Sequence, residues 1–230
     1  MTTSGVYSFN PSIGEVTLYA YNRLGIRPPA LTQDHMFDAR MAANMVLLHW
    51  SNKQVNLWKV DLVTQTLVPG TSTYNVDPSV VLILDMYITV TTGSTAIDRY
   101  IQPVSRTEYA SYSDKTMEGF PTVYWHDRLI APTVTIWPVP PTNSTYTMNY
   151  YVVRQIQDAN LTSAQTADIV PLWIPAFAYG LAEELAISWA PDKLPMIAGR
   201  AKEFYDAAAS TNVEQSQIFI SPTLAGYWRT

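Results

Sequence analysis

Cysteine is absent from this chain and charge is scarce, with only 14% of residues being Asp, Glu, Lys or Arg. The first absence excludes a disulfide framework, a thiol nucleophile and a zinc site built on thiolates, and it suits assembly in a reducing cytosol. The second leaves the chain well below the roughly 25% of an ordinary soluble domain. Lys and Arg number 14 against 19 acidic residues, the net charge is −5, and no basic run occurs. A protein that grips nucleic acid needs a basic footprint to displace counterions from phosphate. The balance therefore argues against tight DNA binding, although DNA could slide along such a surface without sticking. No basic segment precedes an apolar core at the N-terminus, where the first positive residue is Arg23, so no secretory signal is expected. The longest weakly polar stretch, Pro171 to Ala182, is too short to span a bilayer and ends at Glu183 and Glu184.

Thr, Ser, Asn and Gln replace the missing charge, together with 15 Tyr and 7 Trp, in a 230-residue chain that is 47% apolar. That length buries a substantial core in one domain, or in one domain with a large insertion. Aromatics among few charges describe a surface largely buried against other subunits. They equally describe a β-rich domain, because Thr, Tyr and Trp favour strands.

The first zone of the chain reads as helical. Ile13 to Leu24 forms a short helix closed by Gly25 and followed by Pro28 and Pro29. Thr32 can cap the next helix, with Asp34 in its first turn. There Phe37, Met41, Met45 and Leu48 recur at helical spacing and predict one buried stripe ending near Trp50. The middle zone has strand character. Leu57 to Val63, Thr73 to Val76, Val80 to Val90, Pro121 to Trp125, Thr133 to Trp137 and Thr145 to Val153 are its strands, with a turn at Pro69–Gly70. Ser105 to Ser113 reads as a turn or two of helix, with Ser105 as cap and Glu108 in the reciprocal position. Prolines 132, 138, 140 and 141 confine the nearby strands to edges or strand ends.

The last zone returns to helix. Pro171 suits a first helical position, and Trp173, Phe177, Leu181 and Leu185 follow at intervals of four. Pro191 stops this helix, and Asp192 is placed to cap another running from Lys193 to about Asn212. That last helix is rich in Ala, which lets helices pack closely. From Val213 onward no helical period remains, yet Ile218, Phe219, Ile220, Leu224, Tyr227 and Trp228 crowd the final segment. So many large apolar groups point to an extended arm that docks on another subunit by strand addition, with folding back on its own domain as the alternative. The expected fold is therefore α+β. N- and C-terminal helices (1–53 and 158–213) make an α-helical bundle, an antiparallel β lobe (54–157) is inserted into it, and 214–230 is an extended C-terminal arm.

Catalytic chemistry is hard to find. His35 and His49 lie on one predicted helix about 21 Å apart at 1.5 Å per residue, so they cannot share a metal, and His126 beside Asp127 lacks a third ligand nearby. Glu183 and Glu184 are helix neighbours pointing about 100° apart, and cannot flank one glycosidic bond by themselves. No phosphate loop, Gly-x-Ser-x-Gly or His-Glu-x-x-His occurs. No enzyme activity, cofactor or metal is expected. Trp58, Trp125 and Trp137 with their Tyr neighbours could form a sugar-stacking platform, which keeps a carbohydrate- or receptor-binding β module as the second reading.

Several stretches carry a resemblance. They are Leu18 to Ile26 (LYAYNRLGI) with Leu31-Thr32 and a helix from Ala39 finishing at Trp50, then Leu57-Trp58 with Pro69-Gly70 and Tyr74. Gly119 to Trp125 (GFPTVYW), Thr135 to Pro140 (TIWPVP) and Met148 to Tyr151 (MNYY) follow, and then Ile169 to Trp173 (IVPLW) with Leu181-Ala182 and Leu185-Ala186. In order and spacing the chain resembles the head-to-tail adaptors of tailed bacteriophages, the ring proteins also called tail tubular protein A or portal-bound tail accessory factors. The resemblance implies a structural virion protein forming a ring of about twelve subunits at the head–tail junction. In that family the helical lobe sits against the portal protein and the β lobe faces tail or nozzle components, while DNA passes through the channel and no membrane is involved. By position, the portal or inter-subunit contact of the arm falls on Ile218, Phe219, Ile220, Leu224, Tyr227 and Trp228.

Overall fold

A computed structural model of the chain describes residues 5, 9–53, 57–92, 95–142, 145–161 and 165–213. The fold is mixed α+β, and the described residues comprise five helices and a curled seven-stranded sheet. The helices are α1 (Ile13–Arg23), α2 (Gln33–Lys53), α3 (Arg106–Ser111), α4 (Ile174–Trp189) and α5 (Leu194–Thr211). The strands are β1 (Val60–Thr66), β2 (Thr73–Asn75), β3 (Val80–Thr92), β4 (Thr95–Pro103), β5 (Val123–Asp127), β6 (Thr133–Trp137) and β7 (Tyr146–Arg154).

Local chemistry sets the helix ends. Ser12 and Glu15 close a reciprocal box on α1: the Ser12 hydroxyl accepts the Glu15 N–H at 3.3 Å, and the Glu15 carboxylate accepts the Ser12 N–H at 2.8 Å. At the other end Gly25 takes φ +82°, a conformation that glycine adopts without steric cost. Its missing side chain leaves room for the Lys193 ammonium to donate to the Leu24 carbonyl at 2.6 Å. A cation thus sits at the negative end of the α1 dipole. Asp192 does not cap α5 as expected. It lies in a 3-10 turn, Pro191–Lys193, and α5 begins after Lys193 without a side-chain cap.

α4 packs against α1, α2 and α5. Its Phe177, Leu181 and Leu185 are fully buried along with Trp173, as their four-residue spacing predicts. The stripe expected on α2 is not the buried one. Phe37, Met41, Met45 and Leu48 are 65%, 46%, 52% and 40% exposed, whereas Ala39, Ala43, Val46, Leu47 and Trp50 face the core. Both sets repeat at helical spacing, and α2 is apolar on two sides. The second set is the one that α4 covers, and there Gly180 leaves room for the Val46 and Trp50 side chains. A Cβ at Gly180 would stand only 3.3 Å from a Val46 methyl. On that inner face the small Ala39 and Ala43 suit a close approach, and Leu47 and Trp50 complete the buried surface.

The sheet runs β1-β7-β3-β4-β5-β6-β2 and encloses a second apolar cluster around Met86, Ile88, Ile101, Val134, Ile136 and Met148. All its pairs are antiparallel except β4–β5, which is parallel. The expected purely antiparallel lobe is corrected on this point. The connection from β4 to β5 carries α3, and a crossover of that length permits parallel pairing. β4 itself had no expectation, because most of its side chains are exposed and it lacks an apolar alternation.

Where the chain returns from sheet to helices, Asn44 of α2 holds Ala159. Its amide donates to the Ala159 carbonyl at 3.0 Å, and its carbonyl accepts the Ala159 N–H at 2.7 Å. Lys59, ahead of β1, pairs with Asp168, whose carboxylate also accepts the Gln157 N–H at 3.0 Å. Both strand-to-helix junctions are thereby pinned. Replacing Gly180 by Leu forces extra volume into the α2–α4 contact. Thermal melting is expected to show a loss of about 1–3 kcal/mol, while Gly199→Leu on open α5 surface leaves stability nearly unchanged.

Candidate functional site

The three histidines occupy separate environments. His35 is buried, and its Nδ1 accepts the Thr32 N–H at 3.2 Å, so it plays the part that Glu15 plays in α1. Its ring stacks on Trp189 with centroids 3.7 Å apart. His49 borders a cleft of about 250 Å³ between α2, α4 and α5, together with Lys53, Glu183, Lys202 and Tyr205. His126 lies on β5, where burial and then the Arg128 charge push its pKa down, with Asp127 opposing. Among the described residues no cluster of three or more His, Asp or Glu could hold a metal ion.

Glu183 faces the same cleft as His49, while its neighbour Glu184 is exposed. Burial first, and the Glu184 charge second, raise the Glu183 carboxyl above its ordinary value, with His49 and Lys53 pulling the other way. A carboxyl raised in the fold is disfavoured when ionised, so its cost is absent in acid and appears as pH rises through the folded pKa. Glu183→Gln is accordingly expected to melt higher than the parent at pH 7. The gap should close as the pH falls towards 4, as followed by thermal melts across that range.

The tryptophans do not assemble into one platform. Trp58 packs beside Trp173 at 5.0 Å, against the helical core. Trp125 and Trp137 share one face of β5 and β6, but α3 lies over them. Tyr109 stacks on Trp125 at 5.6 Å and Tyr112 on Trp137 at 4.4 Å, while the Trp137 indole donates to the Asp114 carbonyl at 2.8 Å. The ring faces a sugar would need are occupied by the protein's own tyrosines.

Apolar surface is the more informative feature. Phe37, Met41, Met45 and Leu48 run along the outer side of α2 for about 16 Å at 1.5 Å per residue. Helical spacing predicts these residues in the core; the second apolar stripe on the same helix is the signal for the outward role. A groove of about 620 Å³ lies between α1, α4 and α5, lined by Phe9, Val16, Tyr19, Ile174, Tyr179 and Phe204 among others. Contiguous exposed apolar surface of this kind marks a place where another polypeptide packs. The arm residues Ile218, Phe219, Ile220, Leu224, Tyr227 and Trp228 lie outside the described residues. Among the described residues no helix is long and apolar enough to cross a membrane.

The helix-and-sheet scaffold thus carries two exposed apolar surfaces. A family model matches residues 17–220, and the chain belongs to the SU10 adaptor protein family. These are structural phage adaptors rather than enzymes, virion components that interact with other virion proteins. No curated protein matches the chain.

Proposed function

We propose that this chain is the head-to-tail adaptor of a tailed phage, akin to tail tubular protein A and the portal-bound tail accessory factors. About twelve copies form a closed ring that joins the portal to the tail or nozzle protein and continues the DNA channel. The family match over residues 17–220 carries the reading. The division of labour follows the two apolar clusters. Residues 1–53 and 158–213 close into a helical bundle that meets the portal, 54–157 form the lobe that faces the tail, and 214–230 reach along the portal as an arm. The net charge of −5 suits a lumen through which DNA moves without being held. The ring assembles in the host cytoplasm and ends at the head–tail junction of the virion.

A ring requires two different faces on every subunit. The Phe37–Leu48 stripe serves as one, and a neighbouring copy covers it through the exposed Ile187 and Met196 of α4 and α5. Because Met41 and Met45 are exposed, Met41→Glu with Met45→Glu should leave the circular dichroism spectrum of the subunit unchanged. Negative-stain images should then show portals without adaptor rings. Removing residues 214–230 should likewise leave the domain folded and prevent joining to portals; normal tail attachment by the truncated protein would overturn the role given to the arm.

A further inference from the structure

The groove between α1, α4 and α5 has an occupant close at hand. α4 and α5 are joined by one short 3-10 turn, Pro191–Lys193, so they run antiparallel, and Tyr179 stacks on Phe204 at 5.0 Å at one level of the pair. Going back along α4 from Tyr179 reaches Ala178, Pro175, Ile174 and Pro171, all in the groove wall. Going forward along α5 from Phe204 reaches Thr211, and α5 touches the Pro171–Trp173 turn on the way. The chain therefore leaves α5 beside the groove's Pro171 end. The seven residues from Phe204 to Thr211 rise about 10 Å, while the five from Val213 to Ile218 can span about 16 Å when extended. That reach suffices to bring Ile218, Phe219 and Ile220 back into the groove.

We infer that in the free subunit this groove holds the chain's own Ile218-Phe219-Ile220 segment. The composition of the site agrees with that of the segment. The walls supply Val16, Tyr19, Ile174, Ala178, Tyr179 and Phe204, with Glu15 the only charged residue among the lining, and three consecutive large apolar residues supply the complementary surface. The tether decides between this chain and another copy. A linker of this length gives a local concentration on the order of millimolar, far above that of the free protein in solution, so the intramolecular contact wins. The stretch preceding Phe9 is the other candidate, but residues 1–8 offer only Met1, Val6 and Tyr7, with no run of three large apolar residues. Resting on the adaptor reading, the same contact keeps the arm covered until the portal offers a competing surface, and the groove is vacated on docking.

Hydrogen exchange followed by mass spectrometry on the full chain alone tests this without any portal. Amides of residues 217–221 are expected to exchange at least about tenfold more slowly than an unstructured chain, independently of protein concentration. Phe219→Asp, which lies in the arm and leaves the domain core untouched, should abolish that protection and speed exchange in α1 and the first turn of α4. Pro175→Asp, on the exposed first turn of α4 where an acid is favourable, should free the arm while leaving α4 protected. Arm amides exchanging at unstructured rates in the parent would overturn the inference. So would protection that grows with protein concentration, which means a second copy, or groove protection that survives Phe219→Asp and is lost on deleting residues 1–8. A protected arm in a protein that fails to join portals leaves the inference standing and removes the adaptor reading instead.

Discussion

The burial of α4 is the constraint from which the rest of the helical part follows. Its sequence from Ile174 to Trp189 contributes eight buried residues, so the helix presents a broad apolar face that water cannot cover. Only partners on several flanks can cover it. α5 follows directly in sequence, but α1 and α2 come from the opposite end of the chain, more than a hundred residues earlier. Neither end therefore completes a core alone. The sheet between them is held at a fixed place because its two connections are stitched to this core, by Asn44 on Ala159 and by Lys59 on Asp168. Fully burying a large apolar side chain contributes about 1.5–3 kcal/mol. Trp173, Phe177, Leu181 and Leu185 together thus outweigh any single polar contact here.

Much of this was legible in the sequence. The helix positions at both ends, most of the strands and the four-residue spacing on α4 follow from periodicity and from Pro and Gly placement. The failures have physical causes. On α2 two apolar stripes compete, and periodicity alone cannot tell which one another helix will cover. Part of the answer lies in Gly180, a residue on a different element whose lack of a side chain makes room for Val46 and Trp50. β4 was missed because its side chains are almost all exposed, so the alternation that marks a half-buried strand is absent. Asp192 looked like a cap because its type and position were right, but the 3-10 turn started by Pro191 absorbed it.

The site was less legible than the fold. Chemical reactivity singles out His, Glu and clustered Trp, and each of these has a local structural occupation. His35 closes a helix start and stacks on Trp189, Glu183 borders a small cleft, and Trp125 and Trp137 are covered by Tyr109 and Tyr112. What marks a protein that assembles is surface rather than reactivity. Surface depends on which of several apolar faces is left over once the core is closed, and that becomes visible only when the elements are packed together.

The scarcity of charge acquires a meaning in this light. Exposed Phe37, Met41, Met45 and Leu48 on α2, and Tyr19 and Phe9 at the groove, would be hazardous on a subunit that had to stay dispersed indefinitely. They are tolerable on one whose exposed faces are covered in turn. A dense charged surface would protect the free subunit but would have to be desolvated at every contact of an assembly, and buried charge rarely returns that cost. Thr, Ser, Asn and Tyr solve both problems, since they hydrate well enough in isolation and give up water cheaply at an interface. The same logic explains why the aromatic content is high while the described tryptophans are buried or half-buried. Met86 and Met148 fill the sheet's core, whereas Met41 and Met45 are left outside on α2, where a partner surface can mould them.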